Sequence, residues 1–146
     1  MPEQIFQVAT KALIRNGSGQ ILMIHIPEWS GNAAHWDLPG GRMDQGESPL
    51  DTLKRELEEE IGCSFTGQPK QLMTFLTNIT IPVGKDRVPL LFIVYEASLA
   101  QDTAIQLDPD SAEDGYKWFS PAEAAKEMEY KFPKEFCDLV SDLLLA

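Results

Sequence analysis

The sequence has 146 residues, 43% of them hydrophobic, and a net charge of −11 at pH 7, which suits one domain with a real core over residues 1–146. That charge argues against long nucleic acids and anionic membranes, which need basic surface, but is compatible with a small phosphorylated ligand whose charge is met by divalent cations. No apolar run approaches the roughly 20 residues of a membrane span, the N-terminus lacks the pattern of a signal peptide, and Cys63 and Cys137 have no metal or disulfide spacing, so reduced thiols in a cytoplasmic protein are expected.

In chain order, "IFQVATKALIR" (5–15) and "QILMIHI" (20–26) read as strands separated by the turn signal "NGSG". A loop (27–35) follows, then a short strand in "WDL" (36–38). "PGGRMDQGE" (39–47) holds three glycines and a proline and reads as an irregular loop. The next segment is the best-marked helix: Ser48 can cap it, Pro49 fits its first position, Asp51 favours its positive end, and Gly62 stops it. "QLMTFLTNITI" (71–81) and "PLLFIVYEASL" (89–99) read as strands joined by the loop "PVGKDRV". An acidic loop (101–115), a short strand (116–120), a helix "PAEAAKEM" (121–128) and a final amphipathic helix (134–145) complete the chain. The order predicts an α/β fold with helices packed on a mixed sheet. On the last helix, Phe136, Leu139, Val140, Leu143 and Leu144 are expected in the core.

The stretch "RELEEEIG" (55–62) stacks four glutamates, and like charges one turn apart on a helix repel. At helical spacing Leu50, Leu53, Leu57 and Ile61 form an apolar stripe, Glu56, Glu59 and Glu60 converge beside it, and Glu58 points elsewhere. Most such runs are solvated faces, but this one does not alternate sign. Oxygen ligands alone suit magnesium, manganese or calcium, and a cation turns the repulsion into shared coordination. The glycine-rich turn ahead of the helix favours the cation reading, because it lets backbone groups approach a ligand closely.

Residues 41–63 resemble the Nudix box of the Nudix hydrolases: Gly41, "RMDQG", Glu47, "SPLDTLK", then Arg55, Glu56, Leu57, Glu58, Glu59, Glu60, Ile61, Gly62 and Cys63. Cys63 stands where that pattern usually has an aliphatic residue. "WDLPG" and "YKWFSPAEA" are similar to Nudix sequences as well. The resemblance implies an α/β/α sandwich with a loop–helix–loop metal site, and magnesium- or manganese-dependent hydrolysis of a nucleoside diphosphate linked to another group. It implies Glu56, Glu59, Glu60 and the Gly40 carbonyl as metal ligands, with Gly41, Glu47 and Gly62 supporting the site and Arg55 orienting a catalytic glutamate while held by Glu47.

The general base is then Glu56 or a carboxylate from a later loop, for which Glu113 is the candidate and Glu96 the reserve. No mark of the NADH, coenzyme A, ADP-ribose or dinucleoside polyphosphate subfamilies stands outside the box. The default expectation is a small substrate such as a nucleoside triphosphate or a modified nucleotide. Trp29, Lys85 and Arg87 are possible substrate contacts, although a loop-pinning Trp29 and an inert hairpin pair are the plainer readings. His25 and His35 read as structural. A monomer or homodimer is expected. The rival readings are a non-catalytic nucleotide sensor and an isopentenyl diphosphate isomerase, the latter disfavoured by the position of Cys137.

Overall fold

The computed structural model describes residues 3–100 and 103–144. The elements are β1 (Gln7–Ile14), β2 (Ile21–Ile26), β3 (His35–Asp37), β4 (Gly40–Arg42), α1 (Pro49–Ile61), β5 (Phe65–Val83), β6 (Asp86–Leu99), β7 (Gly115–Phe119), α2 (Pro121–Met128) and α3 (Lys134–Ser141). One sheet runs β4-β1-β6-β5, with β1 parallel to β6 and the other pairs antiparallel. A second, antiparallel sheet runs β3-β2-β7.

Strand alternation distributes side chains between two cores. Ala9 and Leu13 of β1, with Phe92 and Val94 of β6, face α2 and α3, where Ala124, Met128, Phe136 and Val140 meet them. Ala12 and Ile14, with Tyr95 and Ala97, face α1, which contributes Leu53, Leu57 and Ile61. The sheets are therefore covered on both sides, an α/β/α arrangement. No helix among the described residues is long and apolar enough to cross a membrane.

Helix α1 follows from its capping chemistry. Ser48 Oγ accepts from the Asp51 N–H at 3.1 Å, and Asp51 Oδ2 accepts from the Ser48 N–H at 3.3 Å, which satisfies two orphan donors reciprocally. Gly62 ends the helix at φ +71°, a left-handed conformation that costs glycine little. Ser48→Ala should lower the stability of the protein by about 1 kcal/mol. Urea unfolding would read this as a lower midpoint at unchanged slope, and an unmoved midpoint would contradict it.

Several boundaries differ from the sequence reading. After the single Arg15–Ile21 bridge, β1 and β2 part into different sheets. The expected loop 82–88 shrinks to a two-residue turn at Gly84–Lys85, because β5 and β6 pair out to Val83 and Asp86. Gly40–Arg42, expected as loop, is a short strand on the edge of β1. Helix α3 ends at Ser141, and Leu144 is exposed and not in the core. The ladder between β5 and β6 slips between Leu76 and Thr80, opposite Leu90 and next to the Thr80–Pro89 pair. That slip frees Asn78, whose side-chain amide donates to the carbonyls of Glu129, Tyr130 and Phe132 and so clasps the connection between α2 and α3.

Candidate active site

The turn into α1 runs flush against its neighbours. A Cβ on Gly40 (φ +136°) would lie 2.0 Å from the Thr10 carbonyl oxygen, and one on Gly41 would lie 2.3 Å from the Glu56 carboxylate. Both residues must therefore be glycine if β4 is to pair with β1 while Glu56 reaches over the turn.

Arg55 knits the loop to the helix. Its Nε and Nη2 grip Glu47 at 2.7 and 2.9 Å, a two-point pairing, and its Nη1 donates to Glu56 at 2.9 Å and Glu59 at 3.3 Å. Nη2 also donates to the Arg42 carbonyl at 3.2 Å. Glu47 accepts further bonds from the Asp44 N–H and the Thr52 hydroxyl. The Arg55 bonds above all, then the Asp44 N–H, lower the Glu47 pKa to about 2. A carboxylate acidified by folding stabilises the fold above its unfolded pKa, near 4.3, and loses that contribution as pH falls toward 2. Glu47→Gln should therefore flatten the acid limb of the stability–pH curve between about pH 4.5 and 2, and acid titration followed by circular dichroism would show it. An unchanged limb would mean that the Glu47–Arg55 pair does not govern that range.

Glu56, Glu60 and Glu113 line one cavity of about 580 Å³. Glu60 is buried and accepts from the Gly40 N–H at 3.0 Å, and Glu113 lines the same cavity. Burial, reinforced by the neighbouring Glu113, pushes the Glu60 carboxyl well above its ordinary range. Burial pushes Glu56 upward too, against the pull of Arg55. Glu113 moves the other way: burial opposes its ionisation, but Glu60, its own backbone N–H, Ser111 and Lys11 together outweigh that and hold it below its usual value.

Behind these carboxylates lies a buried ionic floor. Asp37 Oδ2 accepts from Lys11 Nζ at 3.0 Å and from Lys131 Nζ at 2.6 Å. Lys11 also donates to the carbonyls of Leu38 and Gly40, and both ammonium groups sit over the Phe92 ring at 5.1 and 5.3 Å. Burial alone would raise the Asp37 pKa, but Lys11 and Lys131 together hold it far below the usual carboxylate range.

The structure gathers Gly40, Gly41, Glu56, Glu60, Glu113 and Trp29 around the cavity. Arg55 and Glu47 stand behind it as an orienting pair. Gly62 is remote, serving as the helix cap. Glu59 is exposed on the outer side and bonded to Arg55, and it does not line the cavity. Lys85 sits at the tip of the hairpin. Arg87 instead bonds Thr80 and the carbonyl of Ser30, tying the Trp29–Asn32 turn to the hairpin. Neither residue lines the cavity.

Lys11, Asp37, Lys131 and the cavity-lining role of His35 were not foreseen. Lys11 alone left a trace: a single charge inside the apolar run "VATKALI" of a strand that is buried on both faces demands a partner. Among the described residues, no three His, Cys, Asp or Glu side chains converge as a ready-made metal cage. What fits a hard cation is the chemistry of the donor set, all of it oxygen: Glu56 and Glu60 one helical turn apart on the cavity wall, with Glu59 on the same helix just outside it and Gly40 lining the cavity.

Residues 5–140 match the family model described as NUDIX domain. The 8-oxo-dGTP diphosphatase of Haemophilus influenzae is 48% identical over 62 residues, 42% of this chain and 45% of that protein. An RNA pyrophosphohydrolase of Psychrobacter sp. is 37% identical over 59 residues, 39% of this chain and 31% of that protein. The match thus spans less than half the length of these curated relatives. The crystal structure of a MutT protein from Methanosarcina mazei aligns with a TM-score of 0.65 at 28% identity, covering 97% of this chain and 94% of that one.

Proposed function

Because this chain belongs to the Nudix hydrolase family, we propose that it is a divalent-metal-dependent pyrophosphohydrolase acting on a nucleoside triphosphate or a modified nucleotide. The observation that carries the reading is the convergence of Glu56, Glu60 and Glu113 on one cavity wall, with Arg55 and Glu47 fixing the helix that presents two of them. Glu56, Glu59, Glu60 and the Gly40 carbonyl would hold magnesium or manganese. A bound cation of this kind neutralises phosphate charge and lowers the pKa of water near it.

The chain's own residues do the rest. Arg55, gripped from behind by Glu47, fixes the Glu56 carboxylate in one orientation. Glu113 lines the cavity with Glu56 and Glu60, and either it or Glu56 would take a proton from attacking water. Trp29 stands half-exposed at the rim, where a ring can stack on it.

The test is release of phosphate or pyrophosphate from a nucleotide panel with magnesium, repeated with Glu60→Gln and Glu59→Gln. Metal-dependent release that is lost in Glu60→Gln, and reduced in Glu59→Gln, supports the reading. Folded protein that binds nucleotide and releases nothing from any substrate would make it a sensor instead.

A further inference from the structure

Lys131 has donors to spare. It is 7% exposed, it lines the cavity, and among the described residues its ammonium bonds only Asp37, leaving two of its three N–H groups unused. Lys11, by contrast, spends its donors on Asp37 and two carbonyls. His35 lines the same cavity, and its Nε2 is buried without a partner. Its Nδ1 lies 2.8 Å from the Ala33 carbonyl, which can only accept, so Nδ1 carries the proton and Nε2 of the neutral ring is an acceptor. Burial favours that neutral form. The contacts run in sequence from Glu60 and Gly40 through Lys11 and Asp37 to Lys131, and His35 stands two residues before Asp37 on the same buried face of β3, so the spare donor and acceptor lie beyond the carboxylates. The walls there, Ile79, Ile81 and Leu90 with the Phe92 ring, are apolar. An unused buried donor and an unused buried acceptor are costly unless a ligand meets them.

We propose that Lys131 and His35 read the lactam edge of a nucleobase, so that the ring held here carries a carbonyl beside a ring N–H, as in hypoxanthine, guanine or uracil. The lactam carbonyl accepts from Lys131 and the ring N–H donates to His35 Nε2. Adenine and cytosine present the reverse, an amino donor beside a ring acceptor, and would leave both protein groups facing their own kind. Sites built to hydrogen-bond a substrate group reject the analogue that lacks it far more strongly than apolar pockets reject a change in size.

The inference rests on the nucleotide reading of the site but not on its chemistry, so binding is the test. Calorimetry with inosine and adenosine 5′-monophosphates, without divalent metal, compares two ligands that differ at this edge. The intact protein should bind the inosine compound at least about tenfold more tightly, and uridine over cytidine monophosphate likewise. In Lys131→Met the ratio should fall below about threefold. Should that variant unfold, Lys11→Met/Asp37→Leu/Lys131→Met, which removes the whole ion cluster, carries the same expectation. Equal affinities in the intact protein, no binding of any of the four, or a preference that survives in the folded variants would overturn the proposal. Discrimination without hydrolysis of any triphosphate would uphold the base edge and retire the hydrolase.

Discussion

Asp37→Asn should cost about 3–5 kcal/mol, because it leaves two buried ammonium groups facing one another with no anion between them. The carboxylate is 2% exposed and receives both lysines on a single oxygen. Against a domain stability of roughly 5–15 kcal/mol, that loss brings the protein near unfolding at ambient temperature. Replacing the cluster whole, as Lys11→Met/Asp37→Leu/Lys131→Met, should by contrast be close to neutral, since apolar groups of similar volume need no compensation. Denaturant unfolding of the two proteins side by side makes the comparison. A single variant that loses under about 1 kcal/mol would mean that the two lysines do not depend on Asp37. On that expectation the ion cluster adds little net stability over an apolar replacement, which is consistent with its polar groups serving a ligand.

Glu56→Gln should behave in the opposite way. It should lower kcat/KM by about 10²–10⁴-fold while leaving stability unchanged or slightly raised. Burial already disfavours the charged form of Glu56, so an uncharged isostere costs the fold nothing, and its amide oxygen can still accept from Arg55. The negative charge next to the Gly41 turn is what disappears, and with it the grip on a divalent cation, so the magnesium concentration needed for half-maximal rate should rise. Thermal unfolding and a magnesium titration of the rate separate the two effects. Activity within about threefold of the intact protein at every magnesium concentration would remove Glu56 from the machinery. An equal fall in rate and stability would make it merely structural.

The parts of the site that were legible in the sequence are those encoded locally. Ser48, Pro49, Asp51 and Gly62 mark their helix within fifteen residues, and on that helix the spacing of Glu56 and Glu60 is enough to place them on one face. The floor was hidden because its members come from far apart: Lys11 and Asp37 are 26 residues apart, and Asp37 and Lys131 are 94 apart. Each looks ordinary in its own neighbourhood, Lys131 above all, as one basic residue in a turn between two helices. Lys85 and Arg87 stood open between substrate contact and the plainer reading of an inert hairpin pair, and neither lines the cavity. Their basic character suits phosphate, but the length of the hairpin that carries them is decided by pairing along β5 and β6, which extends further than the apolar pattern indicates.

The clasp made by Asn78 has a consequence for how the molecule breathes. The segment carrying Lys131 is pinned to the sheet through three carbonyls and the backbone bond from the Asn78 N–H to the Lys131 carbonyl, none of which touches α1. Partial openings of a native protein follow such seams. Phe132 and Lys131 of that connection are themselves buried, so an opening that exposes this end of the cavity has to break the Asn78 bonds and withdraw Phe132 from the core together.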